Sequence, residues 1–342
     1  MSSIRRFAIT RLLLTIPMVF FLLTLIFVTM RIIPGDPISA LLGEHIPEEY
    51  YQQYRVSFGF DKPIYVQYID FLMDVLQFRL GGSSAGTRSF ITNRPVVVEI
   101  LERWPQTLEL SLLSIVLAVV VGLATGIVSA THVGKKVDRI IGLGSLFGYS
   151  LPLFWTAMIM QLVLGVWLKI LPVAGNSDAA IRFARVTGMP LLDAFLSGDI
   201  EAISSVARHY VLPVISMAYF SIVTIQRIAR TEMVRTLHED YIMTARAKGL
   251  RENMVVYKHA FRNALLPTLT IIGIQFAGLL GGTIVTETVF SLPGLGRLTM
   301  DSILWRDFPT IQGCVVFYAL IVGICSFIVD LAYALIDPRV RF

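Results

Sequence analysis

The sequence predicts an all-α integral membrane protein with six transmembrane helices. Of its 342 residues, 55% are hydrophobic and only 15% are charged, and the mean hydropathy is +0.70. A soluble domain is usually about a quarter charged, so this composition excludes an ordinary globular protein. Six separate apolar stretches are long enough to cross about 30 Å of hydrocarbon as helices. They lack the short alternating segments that are typical of a membrane β-barrel.

Each predicted span is a run of about 20 mostly apolar residues, the length that a membrane helix needs. The six runs are Leu12–Met30, Thr107–Ala130, Ile140–Leu168, Val211–Gln226, Ala264–Thr286 and Ile311–Ile336. Pro17, Pro152 and Pro213 predict kinks in their spans. Gly-x-x-x-Gly patterns favour close helix packing and occur at Gly122 and Gly126, Gly144 and Gly148, and Gly278 and Gly282.

The distribution of Lys and Arg predicts that both termini are cytoplasmic. With the N-terminus inside, the inner segments hold more than half of the 29 basic residues in less than a third of the loop positions. The first span is predicted to be a retained helix, because its apolar run exceeds the h-region of a signal peptide. The predicted organisation is 1–30 for the N-terminus and first helix, 31–106 for an extracytoplasmic loop, 107–336 for a five-helix core with an inner loop at 227–263, and 337–342 for a cytoplasmic tail.

Charged residues occur only towards the ends of the predicted spans. Their centres contain no Asp, Glu, Lys, Arg or His, which disfavours a proton- or ion-coupled transporter. Glu109, Lys169, Glu287 and Asp330 lie near span ends, where solvation at the lipid headgroups is the simplest interpretation.

Three polar residues are candidates for lining a pathway through the membrane. Glu287 ends a polar run that begins at Thr283, so it is a candidate pathway or gate residue as well as a headgroup contact. Gln161 and Gln275 are polar side chains inside predicted spans. A bundle of kinked helices with such residues suits a gated pathway, and it also suits a static scaffold.

The sequence offers no catalytic, metal or nucleotide-binding motif. The histidines are scattered, and His238-Glu239 lacks the second histidine of a zinc helix. Gly134-Lys135 lacks the upstream glycine of a phosphate-binding loop, and no nucleic-acid-binding module is recognisable. We therefore expect no enzyme activity, no metal and no cofactor in this chain. If ATP drives its function, another chain hydrolyses it.

The predicted inner loop at 227–263 contains a short capped helix. The stretch from Glu239 to Leu250 begins with acidic residues, ends with basic residues and stops at Gly249. Tyr241, Ala245 and Gly249 recur every four residues, so they share one face on which a partner can pack closely. The alternative is an interfacial helix that lies on the lipid headgroups.

Motifs along the whole chain make it similar to the dipeptide/oligopeptide permeases, the membrane subunits of peptide and nickel ABC importers. The strongest match is the inner loop, with Asp240-Tyr241-Ile-Met-Thr-Ala245-Arg246-Ala-Lys248-Gly249 followed by His259-Ala-Phe-Arg262-Asn263-Ala-Leu-Leu-Pro267. The others, in order, are Pro34-Gly-Asp-Pro37, Phe58-Gly-Phe-Asp-Lys-Pro63, Thr286-Glu287-Thr-Val-Phe-Ser-Leu-Pro-Gly-Leu-Gly296, Arg306-Asp-Phe-Pro309 and Asp337-Pro-Arg339.

The resemblance implies a type I ABC importer permease fold with a cytoplasmic coupling helix. In that family the helix docks in a groove of an ATP-binding subunit. The resemblance assigns docking to Asp240, Tyr241, Ala245, Arg246, Lys248 and Gly249, with Ala245 and Gly249 as close-packed positions and Arg246 and Lys248 as polar contacts. It implies a second homologous permease, two ATPase subunits that hold ATP and magnesium, an extracytoplasmic binding protein and a location in the inner membrane.

The identity of the solute stays open at this point. Peptides are the expected substrate, but related importers carry oligosaccharides, glutathione or nickel complexes. Phe78-Arg-Leu-Gly-Gly-Ser83 departs from the family pattern, and the 78–94 region is longer than usual before Pro95. A passive channel or a membrane scaffold is the alternative from a different functional class.

Overall fold

The computed structural model describes residues 2–32, 47–57, 59–80 and 88–336. Within these ranges the chain forms helices and no β-strand, which confirms the predicted all-α class. Several predicted features lie outside the described residues: the Pro34–Pro37 motif, Phe58, part of the 78–94 region and the tail at 337–342.

Thirteen α-helices follow one another along the described ranges, and two of them are continued or preceded by π-helical turns. The helices are α1 (Ser2–Ile32), α2 (Glu48–Ser57), α3 (Ile64–Leu76), α4 (Val96–Thr131), α5 (Lys136–Ser150), α6 (Leu153–Met160), α7 (Pro190–Ser197), α8 (Ile200–Leu237), α9 (Asp240–Ala247), α10 (Glu252–Met254), α11 (Phe261–Val289), α12 (Leu295–Leu304) and α13 (Phe308–Ile336). The π-helical turns are Gln161–Trp167 after α6 and Val255–Ala260 before α11.

Five described helices are long and apolar enough to cross a membrane, and a sixth crossing results if α5 and α6 form one broken span. The five apolar segments are Ile9–Arg31, Val96–Thr131, Ile200–Leu237, Glu252–Gly281 and Phe308–Leu331. This agrees with the six predicted spans, although the observed helices extend beyond them. The fourth, predicted as Val211–Gln226, is the central part of the much longer α8.

The third predicted span, Ile140–Leu168, is wrong as a single continuous helix. The chain breaks at Leu151 and Pro152, and α5 and α6 are bent by 104° relative to each other. Proline lacks the N–H that a helix needs and forces the preceding residue into an extended conformation. Leu151 accordingly has φ −91° and ψ 129°. The predicted kink at Pro152 is therefore a complete break.

The centre of the bundle is the pair of α4 and α8, which run parallel to each other. A Cβ atom on Gly122 would lie 2.9 Å from Cβ of Ile225, and one on Gly126 would lie 2.8 Å from Cβ of Ala229. These two glycines therefore permit the closest approach between the helices. Gly144 and Gly278, the first glycines of the other two patterns, do not pack in this way, because a Cβ atom on either would meet nothing within 4 Å; one on Gly148 would lie 3.4 Å from Cγ2 of Val223 in α8.

The remaining long helices surround this pair. The antiparallel partner of α1 is α13, with Arg11 Nη1 3.4 Å from Asp330 Oδ2. α11 lies against α4, α8 and α13, and the short α12 crosses its C-terminal end. We call this end of the bundle the α12 end and the opposite one, where α9 lies, the α9 end.

Candidate functional site

A cavity of about 500 Å³ lies beside the break between α5 and α6. Its lining comes from the break itself, from the middle of α8 and from α11, and the described lining residues carry aromatic, aliphatic, hydroxyl or amide side chains but no charge. These residues are Tyr149, Ser150, Leu151, Pro152, Leu153, Met217, Tyr219, Phe220, Ser221, Gln275, Gly278 and Leu279.

The backbone at the break is stabilised from α8. The Tyr219 hydroxyl donates a hydrogen bond of 2.5 Å to the carbonyl oxygen of Leu151, which has no helical partner. An irregular backbone is tolerated at membrane depth only where it is buried or lines a cavity, because an unpaired peptide group costs several kcal/mol in hydrocarbon. The break thus exposes polar backbone to the cavity while Tyr219 keeps one carbonyl paired.

An aromatic pair forms the edge of this cavity. The rings of Tyr149 and Phe220 stack with 5.1 Å between their centroids, and the guanidinium carbon of Arg227 lies 5.9 Å from the Tyr149 centroid. That distance permits a cation–π interaction. Arg227 belongs to a second cavity of about 360 Å³, which α5 and α8 form between this aromatic pair and the α9 end.

Only one of the three predicted pathway residues lines the larger cavity. Gln275 does so, and its Nε2 donates a hydrogen bond of 3.2 Å to Ser221 Oγ. Gln161 instead donates from Nε2 to the carbonyl oxygens of Val173 and Val289, at 2.7 and 3.3 Å, so it ties a loop to the end of α11.

Glu287 is fully buried at the α12 end and accepts hydrogen bonds from two neighbouring elements. The Thr107 hydroxyl donates to it at 2.7 Å, and the backbone N–H of Arg297 donates at 3.0 Å. A Cβ atom on Gly294 would overlap its carboxylate. In this structure Glu287 holds the hairpin between α11 and α12 and does not face the cavity.

The interpretation of Glu109 and Glu287 as headgroup-solvated is wrong. Glu109 is also buried, and its carboxylate accepts hydrogen bonds from the N–H groups of Leu191 and Leu192 in the first turn of α7. A carboxylate is stabilised at a helix N-terminus, where backbone N–H groups are otherwise unpaired. Lys169, by contrast, is exposed, and Asp330 pairs with Arg11.

Two further buried carboxylates, Asp307 and Asp193, organise loops at the α12 end. Asp307 was included in the sequence analysis only as part of a motif, and Asp193 was not named there. Asp307 accepts hydrogen bonds from the Ser89 hydroxyl at 2.6 Å and the Phe90 N–H at 3.1 Å. Asp193 accepts from Thr187 and Gly188; burial raises its pKa, but these hydrogen bonds leave the pKa below its usual value. Asp307 was detectable as a helix N-cap followed by Pro309; the loop contacts were not.

The predicted short helix in the 227–263 loop is present as α9 and ends as expected. Gly249 has φ +75°, a left-handed conformation that favours glycine after a helix. Ile242 and Ala245 are buried against a cluster of the chain's own residues that includes Met233 and Val256. Of the residues predicted to share a docking face, Ala245 is thus buried against the chain's own bundle, whereas Tyr241 and Gly249 are exposed.

The other residues assigned to α9 are exposed, and two of them have intramolecular partners. Arg246 forms an ion pair with Glu252 at 2.7 Å, and the Tyr241 hydroxyl accepts a 2.6 Å hydrogen bond from Asn263. Asp240, Lys248 and Gly249 are exposed at the two ends of α9. The outward surface of α9 consists of Tyr241, Met243, Thr244, Ala247 and Lys248.

An ion pair joins α5 to α8 at the α9 end. Arg230 Nε and Nη2 lie 2.8 and 2.9 Å from the two carboxylate oxygens of Asp138, and the Ser129 hydroxyl donates to Asp138 at 2.6 Å. Asp138 itself is almost completely buried. A two-pronged contact of this kind fixes orientation as well as distance.

Among the described residues, no group of three or more His, Cys, Asp or Glu side chains could hold a metal ion. The polar clusters found in this part of the chain join helices and loops to one another.

Two family models together match almost the whole chain. Residues 118–342 match the inner membrane component of binding-protein-dependent transport systems, and residues 4–111 match the N-terminal region of such membrane components.

Curated relatives match over nearly their full lengths. The chain is 38% identical over 336 residues to the di/tripeptide transport system permease protein DppB of Pseudomonas aeruginosa, with 98% of each chain covered. It is 36% identical over 341 residues to the dipeptide transport system permease protein DppB of Escherichia coli K12, again with 98% of each covered. The DppB protein of Alkalihalophilus pseudofirmus is 34% identical, with 98% of this chain and 99% of that protein covered.

The fold is similar to that of a solved ABC transporter chain. A chain of the MetNI methionine ABC transporter in an inward-facing conformation aligns with a TM-score of 0.53 at 16% identity, covering 70% of this chain and 96% of that one. This confirms the expected type I ABC importer permease fold. Together with the family models, it shows that the chain belongs to the inner membrane components of binding-protein-dependent transport systems.

Proposed function

We propose that this chain is a permease subunit of an ATP-driven importer and forms half of the pathway for di- or oligopeptides. The observation that carries the proposal is the 34–38% identity, over almost the full length, to proteins named as dipeptide or di/tripeptide permeases. Because this identity extends over almost the whole chain, it supports a shared transport function in addition to a shared fold.

The proposed assembly contains a second homologous permease, two cytoplasmic ATPase subunits that bind ATP and magnesium, and an extracytoplasmic binding protein. We place the chain in the cytoplasmic membrane with both termini inside, so that the α9 end faces the ATPases. The concentration of basic residues in the predicted inner segments supports this orientation. The exposed outward surface of α9 supports docking there.

The proposed pathway includes the cavity beside the α5–α6 break. Its uncharged lining offers the amide of Gln275 and the hydroxyl of Ser150 to polar parts of a solute. Aromatic and aliphatic side chains make up most of the rest, so this half of the path tolerates different side chains. Closure of the ATPases would move α9 and, with it, the helices that form the cavity.

The substrate is tested by uptake in a strain from which this chain has been deleted. Radiolabelled dipeptide, tripeptide, glutathione, oligosaccharide and nickel are supplied separately, with and without the chain restored from a plasmid. We expect restoration of dipeptide or tripeptide uptake only. If the restored chain increased the uptake of another solute but not of peptides, the peptide assignment would be overturned. The assignment as an importer subunit would still hold.

The coupling role is tested by placing a charge on the outward surface of α9. Met243 is 58% exposed and belongs to none of the hydrophobic clusters of the described residues, so Met243→Asp should leave the protein inserted. A buried carboxylate without a partner opposes docking in a groove, so we expect uptake to fall about tenfold or more. Gly249→Asp is less clean, because the positive φ at that position strains any side chain.

The matched control is Val133→Asp, which adds the same charge at an exposed site in the α4–α5 turn. We expect near-normal uptake from this variant. Normal ATP-dependent uptake from Met243→Asp would contradict the coupling role. Uptake that persists after ATP depletion would favour a passive channel, and purification of the chain without ATPases or a second permease would favour a scaffold.

A further inference from the structure

The helix α3 presents three different faces. Tyr68, Phe71 and Val75 face the bundle, and Gln67, Asp70 and Asp74 form a polar stripe beside them. The third face is apolar and solvent-exposed within this chain: Tyr65, Ile69, Met73 and Leu76 are each at least half exposed. A helix in a water-filled loop has no reason to expose four large apolar side chains along one stripe.

The contacts of α3 place it beside the membrane-spanning part of α1. The Tyr68 hydroxyl lies 2.6 Å from the Thr24 hydroxyl, and the Tyr68 ring centroid lies 5.2 Å from that of Phe27. The apolar segment of α1 runs from Ile9 to Arg31. At 1.5 Å per residue, Thr24 lies about 10 Å inside that segment, measured from Arg31.

The exposed apolar face of α3 continues the exposed surface of α1. Phe20 is 51% exposed and its ring contacts Tyr68 in an edge-on arrangement, with 6.5 Å between centroids. Phe21 and Leu25 of α1 are also exposed. Because α1 crosses the membrane as a helix with little of its surface buried, this surface faces lipid, and α3 extends it sideways.

We propose that α3 is embedded in the lipid leaflet at the α12 end, with Tyr65, Ile69, Met73 and Leu76 among the acyl chains. Lys62 and Asp70, which form an ion pair at 2.7 Å, then lie in the headgroup layer, while Asp74 of the same stripe is buried within the chain. This arrangement has the apolar and polar faces expected of a helix that lies in a membrane interface. The ligand of this surface is phospholipid, and part of the predicted 31–106 loop belongs to the membrane.

The experiment is a spin-label accessibility measurement on the full chain, assembled with the proteins that copurify with it, in lipid nanodiscs. Ile69→Cys, Met73→Cys and Leu76→Cys are each made in a Cys314→Ala/Cys325→Ala background and labelled. Oxygen concentrates in the acyl layer, whereas a water-soluble nickel chelate stays in the aqueous phase. The matched control is Gln77→Cys, because Gln77 is an exposed polar residue that directly follows the last residue of α3.

We expect labels at Ile69, Met73 and Leu76 to collide with oxygen several times more often, relative to the nickel chelate, than the label at Gln77. Equal accessibility to the chelate at all four positions would show a water-exposed loop and overturn the proposal. Exclusion of both reagents from the three apolar positions would show a protein partner on this face and also overturn it. None of these results depends on which solute the assembly carries.

Discussion

The Thr107 hydroxyl connects three elements at the α12 end. It donates to Glu287 of α11 at 2.7 Å and accepts from the N–H of Leu295, the first residue of α12, at 2.8 Å. Thr107 itself belongs to α4 and is fully buried. One hydroxyl therefore donates to a buried carboxylate and accepts from a helix-terminal N–H.

Removal of this hydroxyl is predicted to destabilise the fold. Thr107→Val preserves the volume but leaves the Leu295 N–H without its partner and removes one donor from Glu287, which costs about 1–3 kcal/mol of unfolding free energy. Thr107→Ser keeps the hydroxyl and serves as the control. The measurement is the thermal unfolding midpoint of the purified chain in detergent. A Val variant as stable as the Ser variant would show that Thr107 does not hold α12.

The sequence could place Glu109 and Glu287 near helix ends but could not reveal their partners. Glu287 pairs with a hydroxyl 180 positions away, and Glu109 pairs with amides 82 and 83 positions away. A local pattern contains no information about contacts at that separation, so the headgroup interpretation was the natural one. These two carboxylates can be buried because their oxygens accept hydrogen bonds, and only the folded chain brings the donors to them.

At the scale of elements, the packing of α4 on α8 is predicted to depend on Gly126. In Gly126→Ala the new methyl would lie 2.8 Å from Cβ of Ala229 and 3.0 Å from the carbonyl oxygen of Gln226, so the helices must separate. We expect a loss of about 1–3 kcal/mol of unfolding free energy. The thermal unfolding midpoint in detergent checks this loss.

Gly144→Ala is the matched control, because it makes the same substitution at a position where a Cβ atom would meet nothing within 4 Å. We expect the isolated chain to be unchanged or slightly more stable, since alanine favours helix. Equal losses from both variants would refute the packing argument. A loss from Gly144→Ala confined to the assembled complex would place another subunit at Gly144.

Hydropathy predicted the elements well where one helix crosses without interruption and poorly where the chain breaks. Taken together, α5 and α6 with its π-helical continuation are long and apolar enough to cross a membrane, so hydropathy alone predicts one helix over Ile140–Leu168. Whether a proline kinks or ends a helix depends on what can satisfy the freed backbone. Here the Tyr219 hydroxyl does so from α8, a contact across 68 positions.

The spacing of residues in α9 also predicted only part of what the structure shows. A four-residue repeat predicts that Tyr241 and Ala245 share a side of the helix, but it cannot say which side meets the bundle. The structure turns Ile242 and Ala245 inward and leaves Tyr241 and Met243 outward. The small side chain of Ala245 is explained by packing within the chain, so the docking that we propose would use the remaining surface of α9.

Across the whole molecule, α8 connects α9, the proposed coupling helix, to the cavity. Near its C-terminus Met233 packs with Ile242 of α9, and one turn earlier Arg230 holds Asp138 of α5. Gln226 accepts a 2.7 Å hydrogen bond from Ser145, and Tyr219 holds the break. A displacement of α9 therefore acts on α8 and α5 together, and both of these helices contribute to the lining of both cavities.

This connection predicts that the cavity changes its accessibility with the nucleotide state of the assembled complex. Gln275 lines the cavity, so Gln275→Cys, in a chain whose Cys314 and Cys325 are replaced by Ala, should react with a small water-soluble maleimide at rates that differ several-fold between the nucleotide-free and ATP-trapped states. Gln161→Cys is the control, because Gln161 lies outside the cavity and binds loop carbonyls. Its rate should change little. Equal rates for Gln275→Cys in both states, with ATP hydrolysis intact, would mean that the cavity beside the break is not on the path that alternates between the two sides of the membrane.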